Sequence, residues 1–187
     1  MQDSSSTLTS PLENIILVGF MGTGKSTIGR EIKKQLGYHL VDTDLIIEEQ
    51  ADMDIPQIFS KQGEPSFRSM ETELLKSMVH QNMNHHIIAT GGGMAVATEN
   101  QILLKKLGFV VWLSCSPENI LERTSRTNNR PLLQSNNRIE VIEKLLNERT
   151  PLYDRASHIK IDTSKLNFDE IVCGIIESAR YHFGTSH

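Results

Sequence analysis

The sequence is poor in cysteine, carries no excess of positive charge and has no long apolar run, and each shortage removes a class of protein. It has two cysteines in 187 residues. Cys115 in VVWLSC and Cys173 in DEIVCGII have no metal-type spacing, and both read as buried free thiols inside core elements. A net charge of -4 argues against a sequence-independent nucleic-acid binder, which needs a basic face to displace counterions. No stretch approaches the roughly 18 apolar residues of a membrane span. The opening MQDSSSTLTSPLEN has neither a basic n-region nor an apolar h-region. A soluble, cytoplasmic protein is expected, with residues 1–13 as a disordered tail.

The rest has the composition of an ordinary globular protein, 38% hydrophobic and 22% charged, and its length suits one domain over residues 14–187. Ile15-Ile16-Leu17-Val18 is a short β-rich run bounded by glycine, as in a strand buried on both faces of a parallel sheet. A helix is expected from about Ser26 to Leu36, stopped by Gly37, and HLVDTD then reads as a second strand. Residues 45–81 turn helical, with breaks at Asp54-Ile55-Pro56 and Gly63-Glu64-Pro65 and with Phe67, Met70, Leu74, Leu75 and Met78 at helical spacing. Further strands follow in IIAT and FVVWLS, around a helix near Glu99 to Leu107. Ser116-Pro117-Glu118 supplies the signals of a helix start. The polar stretch Ser125 to Asn137 reads as a functional lid, since polar inserts of this length are seldom plain connectors. A helix over Arg138 to Thr150, a strand at His158 to Ile161 and a helix over Phe168 to Phe183 complete an α/β protein with a five-stranded parallel sheet.

Between the first strand and first helix lies Gly19-Phe20-Met21-Gly22-Thr23-Gly24-Lys25-Ser26, which fits the phosphate-loop pattern G-x-x-x-x-G-K-[ST]. Backbone N–H groups of such a loop and the start of its helix converge on an anion. Lys25 neutralises β and γ oxygens there, and Ser26 offers a hydroxyl to Mg²⁺. A GTP switch is the weaker alternative, because the chain has no Asp-x-x-Gly and no Asn-Lys pair. The other candidates are Asp42, Asp44, Arg68, Gly91, Gly92, Gly93, Arg123, Arg130 and Arg149.

Together these residues resemble the shikimate kinase family. GFMGTGKST, LVDTD, PSFRSME, TGGG, NNRPLL and ERTPLY occur in that family's order and approximate spacing, over nearly the whole chain after the tail. The resemblance implies a three-layer α/β/α sandwich of the P-loop kinase fold, a helical substrate-binding region at about 44–81 and a mobile lid at about 124–137. It implies that Gly22, Thr23, Gly24, Lys25, Ser26 and Thr27 hold ATP, that Arg123 packs on the adenine with Lys165 or its neighbours opposite, and that Asp42 helps Ser26 hold Mg²⁺ in place of a separate Walker B acid. Asp44 then faces the acceptor hydroxyl as base or orienting group. Asp42 and Asp44, at the carboxyl end of the second strand, are read as pointing to opposite sides of an extended chain, with Asp44 also able to cap the helix at Leu45.

Arg68 and Arg149 match the arginines that grip the acceptor's carboxylate, for which a guanidinium fork is suited. Arg149, in the last turn of its helix, would also favour the macrodipole. By the same resemblance Gly91, Gly92 and Gly93 bring backbone close to the acceptor, and Arg130 is the lid arginine that counters charge on the moving phosphate. Glu71, one turn beyond Arg68, could fix its rotamer, and Phe67 could wall the acceptor ring or simply pack in the core. His85 and His86 read as exposed loop residues, so no metal but Mg²⁺ is assigned. The expected reaction is phosphorylation of shikimate by ATP in chorismate and aromatic amino acid synthesis, by a monomer. The alternatives are a gluconate, nucleoside or nucleotide kinase, or a silent nucleotide-binding relative.

Overall fold

The structure is a computed structural model and describes residues 13–125 and 137–184; the expected tail over 1–13 except Glu13, most of the expected lid, and Arg130 lie outside them. Five strands, β1 (Asn14–Val18), β2 (His39–Asp42), β3 (His86–Ala89), β4 (Gly108–Ser114) and β5 (Ile159–Asp162), form one sheet in the order β2-β3-β1-β4-β5. Every pairing is parallel. The helices are α1 (Lys25–Leu36), α2 (Thr43–Ala51), α3 (Ile55–His80), α4 (Thr98–Leu107), α5 (Pro117–Ser125), α6 (Arg138–Ala156) and α7 (Phe168–Gly184), with a 3₁₀ turn at Met94–Val96.

Alternate residues of β1 separate the layers. Ile15 and Leu17 pack with Ile28 and Ile32 of α1 and with Ile171, Val172 and Ile175 of α7. Ile16 and Val18 join Ile47 of α2, Leu75 of α3, Leu104 of α4 and Ile142 and Tyr153 of α6 on the other face. That period of two, apolar on both sides, is why the central strand has no polar face. Among the described residues no helix is long and apolar enough to cross a membrane.

Local signals explain most boundaries. Gly37 ends α1 in the left-handed region at φ 71°, and its N–H donates to Lys33 O at 2.8 Å. Asp54 and Gln57 form a reciprocal capping box at the start of α3, which satisfies two donors that a helix start would otherwise leave open. The expected break at Gly63-Glu64-Pro65 is a kink within α3, with Gly63 at φ 83° and ψ 164°.

Several expectations are corrected. The helix expected to stop at Thr150 runs through Pro151 to Ala156. Pro151 costs a helix hydrogen bond, but Tyr153 and Ala156, 1% and 0% exposed, are buried in the core beyond it, and that burial carries the helix onward. Arg149 is therefore not in a last turn, and the macrodipole account of it falls away. Asp44 is not in extended chain: Thr43 opens α2, and Asp44 lies in its first turn. Residues two apart on a strand would share a face, so it is the start of the helix that separates Asp42 from Asp44. Cys173 is exposed and Cys115 half-buried. His86 is the first residue of β3 and half-buried, whereas His85 is exposed.

One buried polar residue, Asn14, was not singled out in the sequence. Its Nδ2 donates to Met83 O at 2.6 Å and to Leu107 O at 2.8 Å, while its Oδ1 accepts from His86 N at 3.0 Å. It ties the start of β1 to the entries of both neighbouring strands at 1% exposure. Asn14→Ala removes three hydrogen bonds to backbone groups, one buried and two part-buried, and chemical denaturation should show a loss of about 2–4 kcal/mol; an unchanged midpoint would contradict the staple.

Candidate active site

β1 ends at Val18, and the chain turns back on itself before α1. Gly19, Gly22 and Gly24 take φ of 139°, 80° and 94°, a region that residues with a Cβ avoid. At Gly19 a Cβ would also press on the carbonyl of Leu113. The turn is braced by Thr23 Oγ1, which donates to Phe20 O at 2.8 Å. Lys25, 9% exposed, folds over the loop and donates from Nζ to Gly19 O at 2.8 Å and Phe20 O at 2.9 Å. The ammonium is thus held at the loop's own mouth, where phosphate oxygens compete well for it.

The pairing of β2 with β3 and of β3 with β1 brings three strand ends together: Asp42 pairs with Ala89, and Ala89 with Leu17. Ser26 Oγ donates to Asp42 Oδ2 at 2.8 Å. The other oxygen of Asp42 caps α2 by accepting from Asp44 N at 3.2 Å, so Asp42, not Asp44, is the cap. Ser26 and Asp42 form a pair of hard oxygen donors beside the phosphate loop, which suits Mg²⁺ better than a soft metal. Thr43, passed over in the sequence, is fully buried and accepts from Gly91 N at 2.9 Å. That bond docks the glycine turn on α2.

Asp44 and the glycines share one wall. A Cβ on Gly91 would collide with Asp44 Oδ1, and one on Gly93 would collide with the guanidinium of Arg68. Arg68 is framed by two carboxylates of α3: Nη1 donates to Glu71 Oε2 at 2.7 Å, while Nε and Nη2 reach Glu64 Oε1 at 3.1 and 2.7 Å. Glu71 was expected to hold Arg68; Glu64, one turn to the other side, was missed, although its i,i+4 spacing was visible. Phe67 is 4% exposed and packs tilted on Phe59 with ring centroids 5.1 Å apart, as expected of a core residue, and it also lines the cavity.

Arg149, 7% exposed, donates from Nη1 to Gly92 O at 3.4 Å and lies over the Phe20 ring. Tyr153 Oη donates to the same carbonyl at 2.5 Å; it too was missed, although it stands in ERTPLY. Arg123 reaches from α5 to Gly22 O at 3.3 Å and to Thr163 O at 3.3 Å. It spans the phosphate loop and the turn after β5. Lys165 in that turn is 82% exposed, 3.9 Å from Asp162. One cavity of about 710 Å³ joins Met21, Gly22, Gly24, Lys25 and Ser26 of the phosphate loop with Asp42, Asp44, Arg68, Glu71, Gly91 to Gly93, Arg123 and Arg149, whereas Thr23 lines a second, smaller cavity. Thr27 borders the larger cavity as well.

Burial sets the electrostatics. Glu71 is 0% exposed, and loss of hydration pushes its carboxyl up to about 7 against the pull of Arg68, with the negative charge of Asp44 adding to the rise. Burial alone would lower Arg68, but its pairs with Glu71 and Glu64 outweigh that and raise it, so the guanidinium stays charged. Tyr153 is pushed up to about 12, chiefly by burial, and remains a phenol that can donate to Gly92 O.

A phosphate-loop motif opening into a cavity that is also lined by two arginines and a glycine turn defines an α/β protein of the P-loop class. Comparison with known proteins is consistent. A family model described as shikimate kinase matches residues 21–180. The shikimate kinase of Thermodesulfovibrio yellowstonii is 44% identical, covering 89% of this chain and 94% of its own, and that of Geobacter sulfurreducens is 39% identical, covering 95% and 97%. The solved structure of shikimate kinase from Acinetobacter baumannii in complex with shikimate superposes with a TM-score of 0.85 at 38% identity, covering 91% of this chain and 94% of that one. The chain belongs to the shikimate kinase family.

A carboxyl titrating near 7 when folded, against its usual 4.5, gives stability that is complete below about pH 4.5 and lost as pH rises through 7. Glu71→Gln does not titrate. Its stability relative to wild type should therefore improve by on the order of 2 kcal/mol between pH 5 and pH 8, read from denaturant midpoints. A constant difference at both pH values would refute the assignment.

Proposed function

We propose that this protein transfers the γ-phosphoryl group of ATP to the 3-hydroxyl of shikimate, giving 3-phosphoshikimate and ADP, as a monomeric, cytoplasmic enzyme of chorismate and aromatic amino acid synthesis. The observation that carries the reading is the place of Asp44. It lines a single cavity between the phosphate loop on one side and Arg68, Arg149 and Gly91 to Gly93 on the other. A donor phosphate and an acceptor carboxylate held at those two ends leave a hydroxyl of the acceptor beside the Asp44 carboxylate.

Each residue then has a task. Backbone N–H groups of Gly22, Gly24 and the start of α1, with Thr23 and Thr27 beside them, receive the phosphates. Lys25 exchanges the carbonyls of Gly19 and Phe20 for phosphate oxygens. Ser26 and Asp42 would hold Mg²⁺, which when bound neutralises charge on the phosphates. Arg123, already bridging Gly22 and Thr163, lies where an adenine ring would leave the loop. Arg68, with its rotamer framed by Glu64 and Glu71, and Arg149 grip the carboxylate of shikimate. Asp44 orients the hydroxyl for in-line attack and takes its proton as the bond forms. Arg130, outside the described residues, is assigned to the transferring phosphate on the pattern NNRPLL. Positioning and charge stabilisation do most of the work in such a transfer.

The direct assay is ADP release from Mg·ATP with shikimate, beside gluconate and nucleosides as acceptors. Selective turnover of shikimate is expected. Turnover of another acceptor would keep the kinase and discard shikimate, and no turnover with intact ATP binding would make the chain a silent relative. In the same assay Asp44→Asn should lower kcat by about 10²- to 10⁴-fold with nucleotide affinity nearly unchanged. Arg68→Ala and Arg149→Ala should each raise KM for shikimate at least tenfold, as expected when part of a charged grip is lost. Wild-type kcat in the first, or unchanged KM in both others, would remove the corresponding role.

A further inference from the structure

The acceptor half of the cavity holds more negative charge than its cations balance. Glu71 is wholly buried, with Oε2 on Arg68 and Oε1 without a hydrogen-bond partner among the described residues. A Cβ built on Gly91 would stand 3.1 Å from Glu71 Oε1 and in collision with Asp44 Oδ1, so the two carboxylates approach each other across that glycine. The titratable groups facing Glu71 are Arg68 on its own helix, Asp44 from α2, and Arg149 and Tyr153 from α6; Gly91 to Gly93 add none. Glu64 shares Arg68 from the rim, where it is half-exposed and water screens it.

Without ligand, Asp44, Glu71 and the screened Glu64 stand against Arg68 and Arg149. An acceptor acid adds a fourth carboxylate, draws on both arginines and expels the water that screened the cluster. Like charges brought together in a dry site cannot all stay ionised, and the carboxylate with least hydration and an unmade hydrogen bond is the one to be neutralised. Protonation also gives Oε1 or Oε2 a hydrogen to donate and releases the positive charge of Arg68 to the ligand. We infer that Glu71 takes up a proton when an acid occupies this half of the cavity, so that acceptor binding and proton binding are linked. The inference rests on the acceptor assignment above, with shikimate as the probe. Glu71 needs no outside reactant for this, since the proton comes from solvent and returns to it when the acid leaves. The resting carboxyl, already raised toward neutrality by burial, is poised to respond.

The linkage has a definite sign. If binding raises the affinity of Glu71 for a proton, protonation must strengthen binding by the same factor. Affinity for the acid is then highest at low pH and falls as pH rises through the range where Glu71 ionises.

Calorimetric titration of the nucleotide-free protein with shikimate at pH 7.5, in HEPES and in Tris buffer, tests this; nucleotide and phosphate buffer are omitted because a phosphate in the loop would titrate in the same range. The wild type should show a buffer-dependent heat equivalent to roughly half a proton taken up per shikimate bound. Its Kd should weaken on the order of tenfold from pH 6 to pH 9. Glu71→Gln should bind with no buffer dependence and a flat Kd over that range. A wild-type heat independent of buffer, a flat wild-type Kd, or the same uptake in Glu71→Gln would each overturn the inference while leaving shikimate as acceptor. Absence of any shikimate binding by the wild type would overturn the acceptor assignment and this inference with it. The wild-type pH series stands whether or not the variant folds.

Discussion

The parallel pairing of β1 with β3, and of β3 with β2, is the constraint on which the site depends. It ends three strands side by side, so that Gly19, Asp42 and Thr90 leave the sheet at one edge. An open α/β sheet presents ligands at this carboxyl edge, and here each of the three exits supplies a different kind of chemistry. The exit of β1 is a glycine loop with a lysine folded onto it, that of β2 is a pair of aspartates, and that of β3 is a run of three glycines. The apolar faces of β1 hold the layers on both sides at 0% exposure, and Phe20 and Met21 of the glycine loop add to the core on one of them.

What crosses the sheet edge is then fixed by small docking contacts. Thr43 accepts from Gly91 N, Tyr153 and Arg149 donate to Gly92 O, and Gly93 leaves space for the Arg68 guanidinium. Three helices therefore meet on one glycine turn. At Gly91 and Gly93 a Cβ would collide with the Asp44 carboxylate and the Arg68 guanidinium, while at Gly92 it would only crowd the backbone of Met21. The cost is a buried carboxylate, Glu71, whose hydration is lost. A buried pair of this kind adds little net stability and serves better to hold a side chain in one orientation. Arg68 is held in this way from both sides.

Much of this was legible in the residues themselves. The phosphate loop, the order of strands and helices along the chain, the helix stop at Gly37 and the break at Asp54-Ile55-Pro56 all follow from local chemistry, and local chemistry decides them. The errors have a common cause. Pro151 is a local stop that packing of Tyr153 and Ala156 overrides. Asp44 reads as strand because its neighbours do, yet the helix begins at Thr43 with Asp42 as its cap. Cys173 sits in an apolar run but turns outward, because the spacing of Ile171, Val172, Ile175 and Ile176 buries the opposite stripe of α7. Asn14, Thr43 and Tyr153 were missed because each acts through a partner distant along the chain, which one sequence does not display, whereas Glu64 stood at a visible i,i+4 spacing from Arg68.

The central claim is that one cavity holds two anions on opposite sides of Asp44. A crystal structure with ADP, Mg²⁺ and shikimate tests it most directly. The account predicts Lys25 Nζ on phosphate oxygens instead of the Gly19 and Phe20 carbonyls, the shikimate carboxylate on Arg68 and Arg149, and its 3-hydroxyl within hydrogen-bond reach of Asp44. Shikimate bound with its carboxylate away from both arginines, or with Asp44 facing no hydroxyl, would contradict it.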